Sequence, residues 1–431
     1  MKCLGSYQMA FKQVRLGDYF RFEKGLGYKG EYLAEESEVA LIGMDSHEEG
    51  GGYKENSEKF YTGPYKPENI AEVGDVIFAG TEQGFGLLAS PLLVPESDKF
   101  STYLFSGDVL KAIPLKPDDF SVEYLYNIYR VGIFRTKAAY GDSGTTVRRI
   151  SNENLGEQII PLPDLPTQVA INEIISLIDQ QIANNKALSR NLEALAQSVF
   201  KSWFMDFDPV HAKKNGEKPF GMDAETAKLF PDSFVKSELG DIPKGWTIRP
   251  LGELIENFDG KRKPMSGRVR ATRRGKYPYY GATGIVDYVD DFLFQGAYIL
   301  VGEDGSVMTA KGTPVLQYVW GDFWVNNHAH VIRPKSELNI DHLYLILNNI
   351  NISEYITGAV QLKLNQLNLN SIQVLVAPSE INSKFGELVS DIYSTYKLLQ
   401  DSSLSCNGLL STLIPNLVSG ELTVPPDLIA S

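Results

Sequence analysis

The chain has 431 residues, 43% hydrophobic and 22% charged, which is too long for one ordinary domain of about 100–200 residues and too apolar for a disordered or fibrous chain. No stretch approaches the roughly 20 uninterrupted apolar residues of a membrane span, and Cys3 and Cys406, at opposite ends, frame no disulfide scaffold, so a cytoplasmic protein without membrane or signal segment is expected. The 41 Lys+Arg against 54 Asp+Glu leave a net charge of −13, which excludes a chain that coats nucleic acid non-specifically but leaves room for local basic patches.

The first globular unit is expected over residues 1–165. Its early part is acidic, with 11 Asp/Glu against 5 Lys/Arg between Asp18 and Lys59. Within it, Gly25, Gly27 and Gly30 spell G-x-G-x-x-G with Asp45 downstream, but Arg21-Phe22-Glu23-Lys24 before them is not the apolar strand that a dinucleotide fold requires. Short apolar segments such as Asp75-Val76-Ile77-Phe78-Ala79-Gly80 read as strands. A smaller basic cluster, Arg130, Arg135, Lys137, Arg148 and Arg149, lies toward the end of the unit.

A long helix is expected over 166–207. Ile171, Ile175, Ile178, Ile182, Asn185, Ser189, Leu192, Ala196, Val199 and Trp203 step by 4 and 3 without a break, the spacing that keeps one seam facing a partner helix. Thirty-three residues at 1.5 Å each make a rod of about 50 Å. A Pro-, Gly- and Lys-rich stretch over 208–247 reads as a linker.

The second unit, expected over 248–378, repeats the first in order. Val14-Arg15-Leu16-Gly17-Asp18 returns as Arg249-Pro250-Leu251-Gly252-Glu253, and Gly74 to Gly80 returns as Gly296 to Gly302. Ser143-Gly144-Thr145-Thr146, with Leu155 eleven after Gly144, returns as Thr357-Gly358-Ala359-Val360, with Leu369 eleven after Gly358. Here the charge reverses: ten basic residues between Lys244 and Tyr280 face only Glu253, Glu256 and Asp259. A second long helix and tail follow over 379–431, stepping through Ile381, Phe385, Leu388, Ile392, Thr395, Leu399, Ser402, Cys406, Leu409 and Leu413. The fold class is α/β (α+β): two globular units, each followed by a long helix, with pseudo-twofold duplication and an antiparallel coiled coil between the helices.

Chemistry-bearing motifs are lacking. No Gly-Lys precedes Ser or Thr, so there is no P-loop; no Asp/Asn-Pro-Pro-aromatic tetrapeptide of the adenine methyltransferase kind is present; Asp232 with Asp259-Gly-Lys261 only imitates a nuclease set. His328 and His330 share one side of a strand without a visible third ligand, which favours a hydrogen-bonding role over metal. No catalytic residue is expected.

The junction Gly240-Asp241-Ile242-Pro243-Lys244-Gly245-Trp246, the runs Tyr279-Tyr280-Gly281-Ala282-Thr283-Gly284, Ile299 to Ser306 and Trp324-Val325-Asn326-Asn327-His328-Ala329, and Ile159 to Pro166 in the first half, together resemble the DNA-specificity subunit of Type I restriction-modification enzymes. The resemblance covers nearly the whole chain. It implies two target-recognition domains, each reading half of a bipartite site in double-stranded DNA. It also implies docking of two methyltransferase subunits and of restriction subunits, with S-adenosylmethionine, ATP and Mg on those partners and no cofactor on this chain. A DNA-binding adaptor without methyltransferase partners is the alternative.

On this reading Thr81, Thr145, Thr146, Arg148 and Arg149 are the first domain's candidates for DNA contact. Lys261, Arg262, Arg268, Arg270, Arg273, Arg274, Lys276 and Tyr280 are the second's, since lysines suit phosphates and arginine forks suit guanine edges. The helix ends carry more apolar surface than one seam buries, so Phe200, Trp203, Phe204, Leu410 and Leu413 are expected at a partner interface.

Overall fold

Val76, Ile77, Phe78 and Ala79 are all buried, the pattern of a strand covered on both faces. In the computed structural model, which describes residues 11–81, 86–139, 149–238, 240–358 and 361–429, this strand lies inside a four-stranded antiparallel sheet. The order is Phe20–Lys24, Val109–Pro114, Val76–Ala79, Pro91–Leu93. Val76 and Phe78 join the core lined by the long helices, while Ile77 and Ala79 face a second core shared with a five-stranded sheet. That sheet includes a parallel pair, Val39–Ile42 with Thr102–Phe105.

Two compact units result, Met1–Asn185 with Ser402–Ser431, and Lys186–Asp401. The second builds the same frame: Ile255–Asn257, Ala329–Pro334, Tyr298–Gly302 and Leu316–Val319 form its antiparallel sheet. A further sheet holds the parallel pair Arg274–Tyr280 with Asp322–Val325. Each unit closes with a two-stranded ladder, Lys12–Arg15 on Ile159–Leu162 in the first and Thr247–Pro250 on Gln373–Val376 in the second.

The duplication holds with one correction of register. Gly80 accepts the Ile150 N–H at 2.9 Å and donates to the Asp108 carbonyl at 3.0 Å; in the second unit Glu303, not Gly302, accepts from Leu364 at 2.9 Å and donates to His328 at 2.9 Å. Thr81 bridges Arg149 as Asp304 bridges Lys363. Matching the two glycines by sequence is therefore one residue out, and in a strand that slip reverses every face. The corrected register puts Phe78 with Val301, each in its unit's helix-facing core.

The long helices are Leu165–Phe204 and Ser379–Ser419. In the first unit Ile171, Ile175 and Ile182 share a core with Leu410, Ile414 and Leu417; in the second, Phe200 and Phe204 meet Phe385. In the first unit Asn185 meets Ser402 while residues before Asn185 share a core with residues after Ser402, so the pairing there is antiparallel. The first seam runs as expected, with Asn185, Ser189 and Ala196 buried. The second departs: Leu388, Thr395 and Leu409 are exposed, and the buried stripe runs through Phe385, Val389, Tyr393, Ser403 and Leu410. Two successive four-residue steps rotate it, because Tyr393 packs on Tyr318 and Tyr344 at ring separations of 5.7 and 5.9 Å.

The stretch 208–247 carries more order than a linker. It contains the helices Asp208–Lys214 and Ala224–Leu229 and the hairpin Phe234–Ser237 with Gly240–Pro243. Val210, Phe230 and Trp246 anchor it in the second unit's core. No helix among the described residues is long and apolar enough to cross a membrane.

Candidate nucleic-acid interface

The basic segment of the second unit passes through a turn at Asp259–Lys261, a helix at Gly267–Thr272 capped by the Ser266 hydroxyl, and the strand Arg274–Tyr280. Its cations fall into two groups. Arg262 donates to Glu303 Oε2 and to the Ala329 carbonyl, both at 2.7 Å, and lies 3.5 Å from Asp259. Arg270 donates to Asp287 at 3.0 Å and to the Met265 carbonyl at 2.7 Å, with its plane over Tyr279. Arg273 pairs with Asp290 at 2.8 Å and covers Trp324. These three carry ion-pair partners within the unit, so their expected role as direct contacts would require each to exchange a carboxylate for the duplex. A guanidinium already neutralised by a carboxylate has little left to offer a phosphate.

Lys261, Arg268, Arg274 and Lys276, by contrast, are exposed. Tyr280 is half-buried, edge-on to Phe323 at 5.7 Å, and burial pushes its phenol above the ordinary range, with the nearby Tyr288 adding to the shift. Val286 and Tyr288, on the strand paired with Tyr280's, are about half exposed, at 56% and 48%. They were not singled out from the sequence, where they read as ordinary strand residues.

In the first unit Arg149 is exposed beside Thr81, which is buried and whose hydroxyl finds no partner among the described residues. Thr145, Thr146 and Arg148 lie outside the described residues. Two other members of that basic cluster are structural: Arg130 grips Asp179 with two bonds, of 2.7 and 2.9 Å, and Arg135 donates to the carbonyls of Gly50, Tyr129 and Arg130.

The expected partner-facing residues sit elsewhere than on the surface. Phe200, Trp203 and Phe204 are buried in the second unit's core, where Phe204 lies 4.7 Å from the rings of both His342 and Phe385. Leu410 belongs to the first unit's core and Leu413 packs against it. The surplus of aromatic residues is absorbed where helix meets sheet, because the second unit brings its own aromatics to meet it.

Two groupings that resemble ligand sites are engaged by the protein's own groups. Asp259, Glu303 and His330 bring ligand atoms within 4.8 Å of one another, but the Arg262 guanidinium already bonds both acids. Burial pushes the Asp259 carboxyl up, yet His330, the Val331 N–H and Arg262 outweigh it and hold the group below the ordinary carboxylate range. At Gly25 a Cβ would stand 2.0 Å from the Phe105 carbonyl oxygen, so this glycine serves chain packing. A three-residue turn, Gly30–Tyr32, follows where a nucleotide fold needs a long helix.

Comparison with known proteins agrees with this geometry. The family model described as Type I restriction modification DNA specificity domain matches residues 10–194 and again 243–404. The MjaIX specificity subunit of Methanocaldococcus jannaschii is 25% identical over 320 residues, covering 70% of this chain and 69% of that one. The Haemophilus influenzae specificity subunit S.HindORF215P is 33% identical over 141 residues, a match that spans 33% of this chain and only 36% of that relative. The crystal structure of a Mycoplasma genitalium S subunit of a Type I restriction-modification system superposes with a TM-score of 0.54 at 14% identity, over 96% of this chain and 97% of that one, and shows the shared fold. Duplicated frame, helix after each frame and twofold family match place this chain in the family of Type I restriction-modification DNA specificity proteins.

Proposed function

We propose that this chain is the non-catalytic sequence-reading subunit of a Type I restriction-modification complex, each unit reading one half of a bipartite double-stranded site. The observation that carries the reading is the duplication itself: two frames of the same strand order suit a target with two half-sites. In the second unit Lys261, Arg268, Arg274, Lys276 and Tyr280 would meet the duplex; in the first, Arg149 together with Thr145, Thr146 and Arg148. A net charge of −13 fits this role if methyltransferase subunits clamp the duplex and this chain needs cations only at its reading surfaces.

Two methyltransferase subunits would bring S-adenosylmethionine, and restriction subunits would bring ATP and Mg. The paired helices would then set the spacer between half-sites. Co-expression with the host's methyltransferase subunits, followed by affinity purification and methylome sequencing, tests the assignment. A bipartite methylated motif that disappears when this chain is deleted is expected; a chain that binds DNA but recovers no methyltransferase would instead be a stand-alone adaptor.

A further inference from the structure

The second unit contains a buried charged knot that its duplicate does without. Asp259, Arg262, Glu303 and His330 have side chains only 10%, 13%, 16% and 1% exposed. Asp259 Oδ2 lies 2.5 Å from His330 Nδ1, and its Oδ1 accepts the Val331 N–H at 2.9 Å. His330 Nε2 lies 2.7 Å from the Leu364 carbonyl. Both ring nitrogens thus have a partner, which holds the plane of the imidazole in place.

Arg262 completes the knot through Glu303, whose backbone in turn receives the Leu364 N–H. Three separate stretches of chain are thereby fastened at one point: the start of the basic segment, the Glu303–Asp304 loop, and the bridge between Thr357 and Lys363 next to Leu364. The Trp324 indole pins the basic segment again just beyond, at the Lys263 carbonyl, 2.6 Å away.

The corrected register shows what the first unit has at these places. Paired strand positions put Gly80 at Glu303 and Leu110 at His330. The same frame therefore folds with an apolar residue and a glycine in place of two members of a buried ionic group. Burying such charges costs desolvation, and well-packed apolar residues often serve stability as well or better. The fold does not require the knot.

We propose that Asp259, Arg262, Glu303 and His330 are positioning residues for sequence reading by the second unit. They fix the basic segment and the Thr357–Lys363 bridge in one arrangement, and without them the unit still folds but discriminates its half-site poorly. This rests on the reading that the basic segment meets DNA.

The test uses the full chain in its methyltransferase complex. Asp259→Asn is nearly isosteric and keeps an acceptor for Val331; His330→Leu installs the first unit's own residue. Both are expected to reduce base discrimination at the second half-site by about tenfold or more, to leave the first half-site untouched, and to leave the salt dependence of DNA binding as it was, since every cation that meets a phosphate is still present. Unchanged methylation specificity in both variants overturns the proposal, as does an equal loss at both half-sites, which would signal general destabilisation. An Arg268→Ala, Arg274→Ala, Lys276→Ala triple variant separates the two layers. If it leaves affinity and salt slope unchanged, the DNA-contact reading of the segment fails and the proposal with it. If it flattens the slope while Asp259→Asn and His330→Leu keep full discrimination, the positioning role alone is overturned.

Discussion

Asn185 donates a hydrogen bond from Nδ2 to the Ser402 hydroxyl at 3.0 Å, joining the two long helices inside the first unit. Asn185 is 3% exposed, and its carbonyl oxygen accepts from Gln181 at 2.8 Å, so a polar seam residue is satisfied at both ends. A buried asparagine of this kind pins helix register at some cost in stability. Replacing both partners by apolar residues, as Asn185→Leu with Ser402→Ala, is expected to be neutral or stabilising, whereas Asn185→Ala alone should cost about 1–2 kcal/mol. Thermal denaturation of the full chain checks the pair; a double variant less stable than Asn185→Ala would show that the hydrogen bond stabilises more than it restricts.

The four exposed candidates Lys261, Arg268, Arg274 and Lys276 should behave as phosphate or base contacts. Alanine at Lys261, Arg268, Arg274 or Lys276 is expected to flatten the salt dependence of binding by about one unit for each phosphate left unneutralised, or to relax preference at one base position at about 1–3 kcal/mol. Arg262→Ala belongs to another class. It leaves Glu303 without its 2.7 Å partner and Asp259 with His330 alone, which costs about 3–5 kcal/mol of stability. Titration of binding against salt, beside denaturation of each variant, separates the two groups.

Trp203→Glu is expected to unfold the second unit. Its indole packs against Phe230 at 5.2 Å and Phe385 at 5.5 Å, and a carboxylate placed there has no partner. Removal of the large side chain alone accounts for about 3–5 kcal/mol. A folded Trp203→Glu chain that merely failed to assemble with its partners would restore the interface role that burial removes.

Acid should weaken the second unit through His342. Burial among Phe200, Phe204 and Phe385 pushes this imidazole down to about 3, and neither ring nitrogen has a partner among the described residues. The unfolded chain takes up a proton below about 6.5 and the folded one does not, so stability is full above that pH and falls as pH drops toward 3. At pH 5 the loss is about 2 kcal/mol. His342→Leu should remove this dependence and raise the melting temperature at neutral pH as well, because it deletes two orphaned polar atoms. Melting curves from pH 7 to pH 5 report both effects.

The duplication, the two long helices and the absence of catalytic motifs were legible in the sequence because they rest on order and period, which a linear chain displays directly. The 4,3 steps from Ile171 to Trp203 describe the first helix seam as it stands, since one face of a helix is set by spacing alone. What spacing does not contain is the neighbour. Whether Arg262, Arg270 and Arg273 face solvent or an acid depended on Asp259, Asp287, Asp290 and Glu303, all but Asp259 reached only when the chain folds back. The second seam shifted from Leu388 to Val389 because Tyr318 and Tyr344, far away in the chain, supplied a surface for Tyr393. The repeat register slipped by one because similar glycines outweigh hydrogen-bond partners in a sequence match, while only the ladders through Gly80 and Glu303 reveal which residues occupy the same place. Local periodicity thus determined the elements, and long-range packing decided which side chains remain free to touch another molecule.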